Sequence, residues 1–453
     1  MTKIFSKNAL IQLGRNLRDT DSPSSKNLAL LQEYRLSHKD LIKQVFDIIC
    51  TEALIINDDA ICAYRIKRID SIIRKLRRLK GSVELKSMRD IAGCRCILQS
   101  DAEVFKLMNN LKKTSLQLIQ KPNIYMGPHK KESGYGSIHM YVTLPEFEKL
   151  SVEIQIRTIE QHDWATFVET IDLLYGTKLK EGICTTTQEQ YNDFYRMHQI
   201  LSKQDNYRNK NEDKELINAI IKYDILGRLE NVLVSNIAKV RHQWAEMMSN
   251  FTYPQYFYIG TTDDNSPTIA AYASYSEAEQ YYYDSFEKNS NKNQVIVSLT
   301  NPTYDTICMA YSNYMLVCHK FTHKIQELFT KVISDDTSND IVNEISLYYC
   351  SIAKQLTRHI DVEIHELLKS QGKYNKEVLR EWVYDVKHNL EQRKEDFVNL
   401  NNASIKMVFI GKSEGIYKIF RVIIYYIVTA ISPNYIINKI KQLKANNDRV
   451  ENI

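Results

Sequence analysis

The sequence predicts an α+β protein, in which a sheet-containing domain is followed by a mainly helical C-terminal region. Only 13 of the 453 residues are glycine and 8 are proline, a scarcity that favours long regular elements over many turns. Residues 137–158 contain two neighbouring segments in which apolar and polar residues alternate, as they do in strands. Apolar residues recur at helical spacing in three later stretches, 303–333, 339–371 and 376–400.

The sequence contains no clear targeting or membrane-spanning segment. Its first 17 residues mix polar and apolar types and predict no secretory signal. The longest largely apolar run, Val422 to Ile431, is about half a membrane span and predicts a buried or partner-facing helix. The eight cysteines are scattered, and the one close pair, Cys94 and Cys96, favours core thiols over a metal site. These features predict a cytoplasmic protein without a membrane partner.

Charge is unevenly distributed along the chain. Residues 1–180 carry 29 Lys and Arg against 21 Asp and Glu, a net charge of +8. Residues 181–453 carry 31 against 34, a net charge of −3. The basic excess therefore indicates a polyanionic ligand for the first part of the chain.

The densest basic stretch runs from Arg65 to Lys80, where isoleucine and leucine recur at helical spacing. A helix there would place Lys67, Ser71 and Lys75 in one row, four residues apart. A solvated basic face and a phosphate-binding face explain this stretch equally well.

Strands are predicted on both sides of a short helix. The second half of Asp90 to Leu98 reads as a buried strand, and Ser100 or Asp101 can cap the helix after it. Alternation then predicts strands at 137–144 and 151–158, joined as an antiparallel hairpin.

One face of this hairpin combines several polar side chains. Period two puts Glu153, Gln155 and Arg157 on one side of their strand, with His139 on the matching side of its neighbour. Asp90 adds a second carboxylate just before the first strand. Carboxylates beside many cations suit a magnesium–polyphosphate complex, because oxygens hold the metal and cations neutralise the phosphates. The alternative is that this face is the solvated side of an antiparallel sheet.

Five short motifs between residues 65 and 165 resemble the synthetase domain of the RelA/SpoT family. They occur in the family's order, and each motif alone is weakly specific. The motifs are Arg65-x-Lys67-x-x-x-Ser71-x-x-x-Lys75, Asp90-Ile-Ala-Gly93-x-Arg95, Lys131-x-x-Gly134-Tyr135-x-Ser137-x-His139, Glu153-Ile-Gln155-Ile-Arg157-Thr158 and His162-x-Trp164-Ala165.

The resemblance implies a nucleotidyltransferase-like fold, a mixed sheet flanked by helices. It implies Mg²⁺-dependent transfer of pyrophosphate from ATP to the ribose 3′-hydroxyl of GDP or GTP, giving guanosine tetra- or pentaphosphate. Asp90 and Glu153 would be the catalytic residues and metal ligands, or Glu153 would help to deprotonate the attacking hydroxyl. Two further sets would bind substrates: Arg65, Lys67, Ser71, Lys75 and Arg95 the ATP phosphates, and Lys131, Tyr135, His139, Gln155 and Arg157 the acceptor, with Tyr135 stacking on its base.

Alternatives remain open at this point. Gly136 departs from the family's pattern, in which arginine or glutamine often follows the tyrosine, and acceptor choice is therefore open. A toxic family member would pyrophosphorylate the 3′ end of tRNA or make an adenosine alarmone, with an antitoxin protein as partner. A third hypothesis is a nucleotide sensor without turnover. A homo-oligomer is compatible with each hypothesis, and no hydrolase domain is expected.

We therefore predict an N-terminal helical segment at 1–45 and a synthetase-like domain at 46–180. A mixed α/β accessory region would cover 181–335, and a helical region 336–453. Short strands are predicted at 256–260 and 294–299, around a helix at 276–288. The tyrosines of the accessory region, in 253–258 and 281–283, could stack on bases but are better explained as a small core.

Overall fold

The computed structural model describes nine stretches of the chain: 5–179, 182–203, 208–250, 255–261, 266–288, 293–315, 319–335, 339–370 and 372–410. Val422 to Ile431 and Tyr253 lie outside these described residues. The chain packs as two units, Met1–Thr166 with Tyr253–Tyr314, and Phe167–Thr252 with Met315–Ile453. The sequence analysis predicted four regions that follow one another along the chain, whereas each unit of the structure combines two separate stretches of chain.

Three helices open the first unit, α1 (Lys7–Arg18), α2 (Ser25–Leu36) and α3 (Lys39–Ile56). Serine caps the first two, because Ser6 and Ser24 accept hydrogen bonds from backbone N–H groups in the first turn. Helix α3 buries an apolar stripe that includes Leu41, Val45 and Ile49. These three positions are four residues apart, so they lie on one side of the helix and face the core.

A mixed sheet lies at the centre of the first unit, and its strand order is β3-β5-β6-β2-β1-β9-β7-β8, with β4 also paired to β5. Strands β2 and β6 are parallel, and the other neighbours are antiparallel. The sheet and its flanking helices confirm the predicted α+β class. Within the described residues the strands are β1 (Ile61–Ile66), β2 (Ala92–Leu98), β3 (Gln117–Leu118), β4 (Asn123–Tyr125), β5 (Ser137–Thr143), β6 (Val152–Thr158), β7 (Tyr256–Thr261), β8 (Pro267–Tyr272) and β9 (Val295–Leu299).

The predicted hairpin of β5 and β6 is confirmed, with Met140 opposite Ile154 in an antiparallel register. Both side chains are fully buried, as is Ile156. Because alternate side chains of a strand point to opposite faces, the polar residues between them lie on the other face of the sheet.

The prediction of one helix from Arg65 to Lys80 was wrong. Arg65 lies in β1, and the helix α4 covers only Ile69–Arg78. Strand β1 pairs with β2 along its length and also with β9. Since β9 lies far away in sequence, local spacing gave no sign of this partner, and the tertiary pairing prevails over the helical pattern.

Residues 256–299 extend the same sheet. Strand β9 pairs with β1 through Ala63 opposite Leu299 and Tyr64 opposite Ser298, and helix α10 (Tyr275–Lys288) lies between β8 and β9 in the chain. Tyr258 and Tyr282 are buried, which supports the interpretation of these tyrosines as core residues. The strand β8 was not predicted.

The remaining helices are distributed over both units. In the first unit, α5 (Asp101–Leu111) follows its predicted cap Ser100, whose hydroxyl accepts from the backbone N–H of Glu103. The predicted helix at 303–333 is two helices in the described residues, and no described helix is both long and apolar enough to cross a bilayer. The others are α6 (Ile159–Tyr175), α7 (Gln188–Leu201), α8 (Lys210–Lys222), α9 (Ile225–Asn250), α11 (Tyr304–Met315), α12 (His319–Asp335), α13 (Asn339–Lys369) and α14 (Lys376–Ile410).

Truncation of Ile296 to Ala tests whether β9 belongs to the core of the first unit. The side chain is 4% exposed and lies in one apolar cluster with residues of β2 and β6. We expect a loss of about 2–5 kcal/mol in the free energy of unfolding, measured with urea. Leu118→Ala, at a residue that is 40% exposed, is the control and should change it by less than about 1 kcal/mol. Equal effects of the two substitutions would contradict the assignment.

Candidate functional site

The register of three strands builds the candidate site. Strand β2 lies beside β6 with Arg95 opposite Gln155. Strand β5 lies on the other side of β6, with His139 opposite Gln155 and Tyr141 opposite Glu153. Residues opposite each other on neighbouring strands point to the same face, so these side chains share one polar surface.

Five side chains on this surface form a closed ring of hydrogen bonds. His139 contacts Glu153 Oε1 through Nδ1 at 3.1 Å and the Tyr135 hydroxyl through Nε2 at 2.7 Å. Arg157 donates to the Tyr135 hydroxyl at 3.3 Å and to Gln155 Oε1 at 2.5 Å. Gln155 closes the ring by donating to Glu153 Oε2 at 2.8 Å. Each member thereby restricts the orientation of the next, which preorganises the surface.

Tyr141 is a site residue that the sequence analysis missed. Its hydroxyl donates to Glu153 Oε1 at 3.0 Å, so this oxygen contacts both Tyr141 and His139. The signal was present in the alternation of β5, because Tyr141 follows His139 by two residues and must share its face.

The ring changes the ionisation of its two titratable members. Burial raises the pKa of Glu153, but the hydrogen bond and positive charge of His139 outweigh burial and leave this pKa lowered. Burial lowers the pKa of His139, and the hydrogen bond to Glu153 more than offsets it, so this pKa is raised. Both shifts favour a charged pair. The charge of Asp90 raises the pKa of Glu153, which shows that the two carboxylates interact.

Asp90 is held by two lysines. The Nζ atoms of Lys67 and Lys75 each lie 2.8 Å from Asp90 Oδ2. Burial raises the pKa of Asp90, but the two positive charges prevail and lower it to about 2. The other oxygen, Oδ1, is buried and has no hydrogen-bond partner within the described part of the chain. A buried carboxylate oxygen of this kind is suited to a ligand.

Lys67 precedes helix α4, whereas Ser71 and Lys75 lie within it, and both lysines contact Asp90. The Ser71 hydroxyl accepts from Arg68 Nε at 3.1 Å and from Arg74 Nη2 at 3.3 Å. The cationic row, defined here as Lys67, Ser71 and Lys75, therefore combines a hydroxyl with two ammonium groups.

Helix α11 contacts the predicted phosphate-binding arginines, which the sequence analysis did not anticipate. Arg65 donates to the Tyr314 hydroxyl at 3.1 Å, and the guanidinium of Arg68 lies 5.8 Å from the centre of the same ring. Arg95 donates to the backbone carbonyl of Ala310 at 3.3 Å. An anionic ligand that binds Arg65 or Arg95 would compete with the Tyr314 hydroxyl or the Ala310 carbonyl for the guanidinium group.

The same helix also contacts the last motif. Nε2 of His162 lies 2.9 Å from the backbone carbonyl oxygen of Met309, and the side chain of His162 is buried. This histidine, which belongs to α6, therefore packs against α11. It lies within the same unit as the polar surface.

The loop before β5 places Tyr135 beside the ammonium of Lys131. The Lys131 ammonium lies 4.6 Å from the centre of the Tyr125 ring and 5.3 Å from that of Tyr135. Gly134 has φ +91° and donates its N–H to the Lys131 carbonyl at 2.8 Å. A side chain at this left-handed position would strain the turn that brings Lys131 and Tyr135 together.

The structure thus gathers the predicted site residues in one unit. Asp90, Lys67 and Lys75 meet directly, and Glu153 meets His139 and Gln155. The roles assigned to them above stay predictions.

Residues 64–179 match the family model described as a region found in RelA / SpoT proteins. This part of the chain is similar to that region of RelA / SpoT proteins. Over 127 residues the chain is 35% identical to GTP pyrophosphokinase YjbM of Bacillus subtilis, which covers 26% of this chain and 59% of that protein.

Two further likenesses accompany this match. An uncharacterized protein of Mycobacterium bovis is 30% identical over 181 residues, 39% of this chain and 62% of that one. The matches therefore span less than two thirds of the length of these curated relatives. The crystal structure of small alarmone synthetase 1 from Bacillus subtilis, bound to its product pppGpp, is 25% identical with a TM-score of 0.26, covering 31% of this chain and 72% of that one.

The Asp90 carboxylate should stabilise the fold in a pH-dependent way. Its folded pKa of about 2 lies below the ordinary value of 3.8, so the stabilisation is complete above about pH 5 and is lost as the pH falls through about 2. We expect wild type to exceed Asp90→Asn by roughly 2 kcal/mol in unfolding free energy at pH 6, and by about half of that at pH 3. Urea titrations at both pH values measure the difference. A difference that does not shrink with acid would contradict the ion pairs.

Proposed function

We propose that this chain is an ATP-dependent pyrophosphotransferase that moves pyrophosphate from ATP to the 3′-hydroxyl of GDP or GTP. One observation carries the proposal: two carboxylates, Asp90 just before β2 and Glu153 on the neighbouring strand β6, interact beside the cations of Lys67 and Lys75. The match to the RelA / SpoT family model and the likeness to a relative named GTP pyrophosphokinase support the same reaction class.

The two carboxylates fit a divalent cation such as Mg²⁺. Asp90 offers a buried oxygen without a partner among the described residues, and the lowered pKa of Glu153 keeps that side chain ionised. Magnesium prefers carboxylate oxygens together with substrate phosphates. When bound, it would neutralise charge on the transferring phosphates. We therefore assign Asp90 and Glu153 as its ligands.

The cations around Asp90 would bind the phosphates of ATP. Lys67 and Lys75 now share one carboxylate oxygen, and phosphate oxygens would give each ammonium an anionic partner of its own. Ser71 lies between them on the row, and Arg65 and Arg95 lie on neighbouring strands. Point charges and guanidinium groups of this kind are the usual partners of polyphosphates.

Tyr135 would stack on the base of the acceptor. Its hydroxyl is held by His139 and Arg157, so the ring is fixed at one end while it offers an apolar face to a purine. Lys131, His139, Gln155 and Arg157 would complete the acceptor site.

The reaction itself requires positioning more than a strong base. The 3′-oxygen of the acceptor forms a bond with the β-phosphorus of ATP, and the bond from this phosphorus to the α,β-bridging oxygen breaks. AMP leaves with the electron pair, and the hydroxyl proton passes to water. Glu153 is a weak base because its pKa is lowered, so we assign it to holding Mg²⁺ rather than to deprotonation.

An assay with labelled ATP, magnesium and four acceptors side by side tests the function. We expect label from the β- and γ-phosphates to appear in the 3′-pyrophosphorylated product of GDP or GTP, and not in tRNA or in a 3′-pyrophosphorylated product of ATP. Label in tRNA or in an adenine nucleotide would assign the chain to the toxic alternative instead. Nucleotide binding without any transfer would identify a sensor.

Glu153→Gln should lower transfer by about 100-fold or more, because it removes one of the two carboxylates assigned to hold the Mg²⁺ that would neutralise the transferring phosphates. The exposed Glu146 lies in the connection between β5 and β6, and Glu146→Gln serves as the matched control with unchanged activity. Unfolding curves of both variants show whether the fold is kept. Full activity in a folded Glu153→Gln variant would overturn the assigned role.

A further inference from the structure

A buried polar network joins helix α2 to helix α10. Arg35, from α2, is 1% exposed, and its Nη1 lies 3.2 Å from Glu279 Oε2, from α10. Gln32 donates to the same oxygen at 2.9 Å, and Tyr275 donates to the other oxygen at 2.7 Å. An ion pair buried this deeply must overcome a large desolvation penalty, so it is weak evidence for stability alone.

This network ends on the backbone that leads into α4. Arg35 Nε donates to the Lys67 carbonyl oxygen at 2.7 Å, and the guanidinium of Arg35 lies over the ring of Tyr282 at 4.8 Å. The hydroxyl of Tyr282 accepts the backbone N–H of Ile69 at 3.0 Å. Both polar backbone groups that flank Arg68 are thus bound by buried side chains.

Tyr282 replaces an ordinary cap at this position. Helix α4 begins at Ile69, and its N-cap residue, Arg68, makes no capping hydrogen bond with its side chain. The first N–H groups of a helix have no partner inside the helix and need one elsewhere. Here the partner comes from residue 282, more than two hundred positions later in the chain.

The backbone of Lys67 is fixed on its other side as well. Its N–H donates to the Ile91 carbonyl at 2.7 Å, and Ile91 directly follows Asp90. The Lys67 side chain reaches Asp90 at 2.8 Å. The place of this ammonium relative to the carboxylate therefore depends on where the carbonyl of Lys67 and the N–H of Ile69 are held.

We propose that Tyr282, together with Arg35, is a positioning residue that fixes Lys67 and the start of α4 for binding the phosphates of ATP. The inference rests on the proposed function for the identity of the ligand. Each side chain acts through the backbone of residues 67–69. Arg35 binds the carbonyl of Lys67, and Tyr282 binds the N–H of Ile69.

Tyr282→Phe in the full chain is the decisive variant, because it removes only the hydroxyl and keeps the ring under Arg35. We expect the KM for ATP to rise about threefold to tenfold, as for the loss of one hydrogen bond, with the KM for GDP or GTP unchanged. Amide hydrogen exchange of residues 66–73 should become faster.

Tyr348→Phe is the matched control in the second unit. There the Tyr348 hydroxyl accepts the backbone N–H of Gly227, in the first turn of α9, at 3.2 Å. We expect this variant to lose stability as Tyr282→Phe does, but to leave both KM values and the exchange of residues 66–73 unchanged.

The exchange measurement separates two kinds of failure. If wild type shows no transfer while exchange at residues 66–73 quickens only in Tyr282→Phe, the proposed function fails and the positioning of this backbone stands. If Tyr282→Phe changes neither the exchange nor the KM for ATP, the positioning role is overturned, whatever the activity of wild type.

Discussion

The register between β2 and β6 is the constraint on which the candidate site depends. Buried residues such as Cys94 and Ile154 lie opposite each other on the apolar face, and they leave Arg95 and Gln155 opposite each other on the polar face. A slip of one residue would exchange the two faces, placing charges in the core. Apolar burial therefore specifies the geometry of the polar surface.

Each of the two carboxylates, Asp90 and Glu153, has cationic partners within the protein. Asp90 is matched by two lysines and Glu153 by His139. In the proposed function, phosphates that attract the lysines would leave the Asp90 carboxylate less neutralised, and a divalent cation would then bind it more strongly. Phosphate binding and metal binding would therefore support each other. The phosphates would draw the two lysines away from Asp90, and the metal would take their place on the carboxylate.

The sequence predicted the polar surface better than its surroundings. Alternation placed His139, Glu153 and Gln155 correctly, since period two is a local property of a strand. It could not reveal β1 as a strand, because β1 is paired by β2 and by the distant β9. The contacts of Tyr282 and Tyr314 were missed for the same reason, as both residues reach the site from beyond residue 250 through tertiary packing alone.

Residues 253–314 are therefore part of the architecture of the site and not an appendage to it. Strand β9 pairs with β1, which would otherwise present an unpaired edge beside Arg65. Helix α10 supplies the acceptor for the first N–H of α4, and α11 supplies partners for Arg65 and Arg95. The match to the RelA / SpoT family model ends at residue 179, so these three contributions lie outside it. In the proposed function, the contacts of α10 and α11 with Arg65, Arg95 and the start of α4 would therefore influence nucleotide binding.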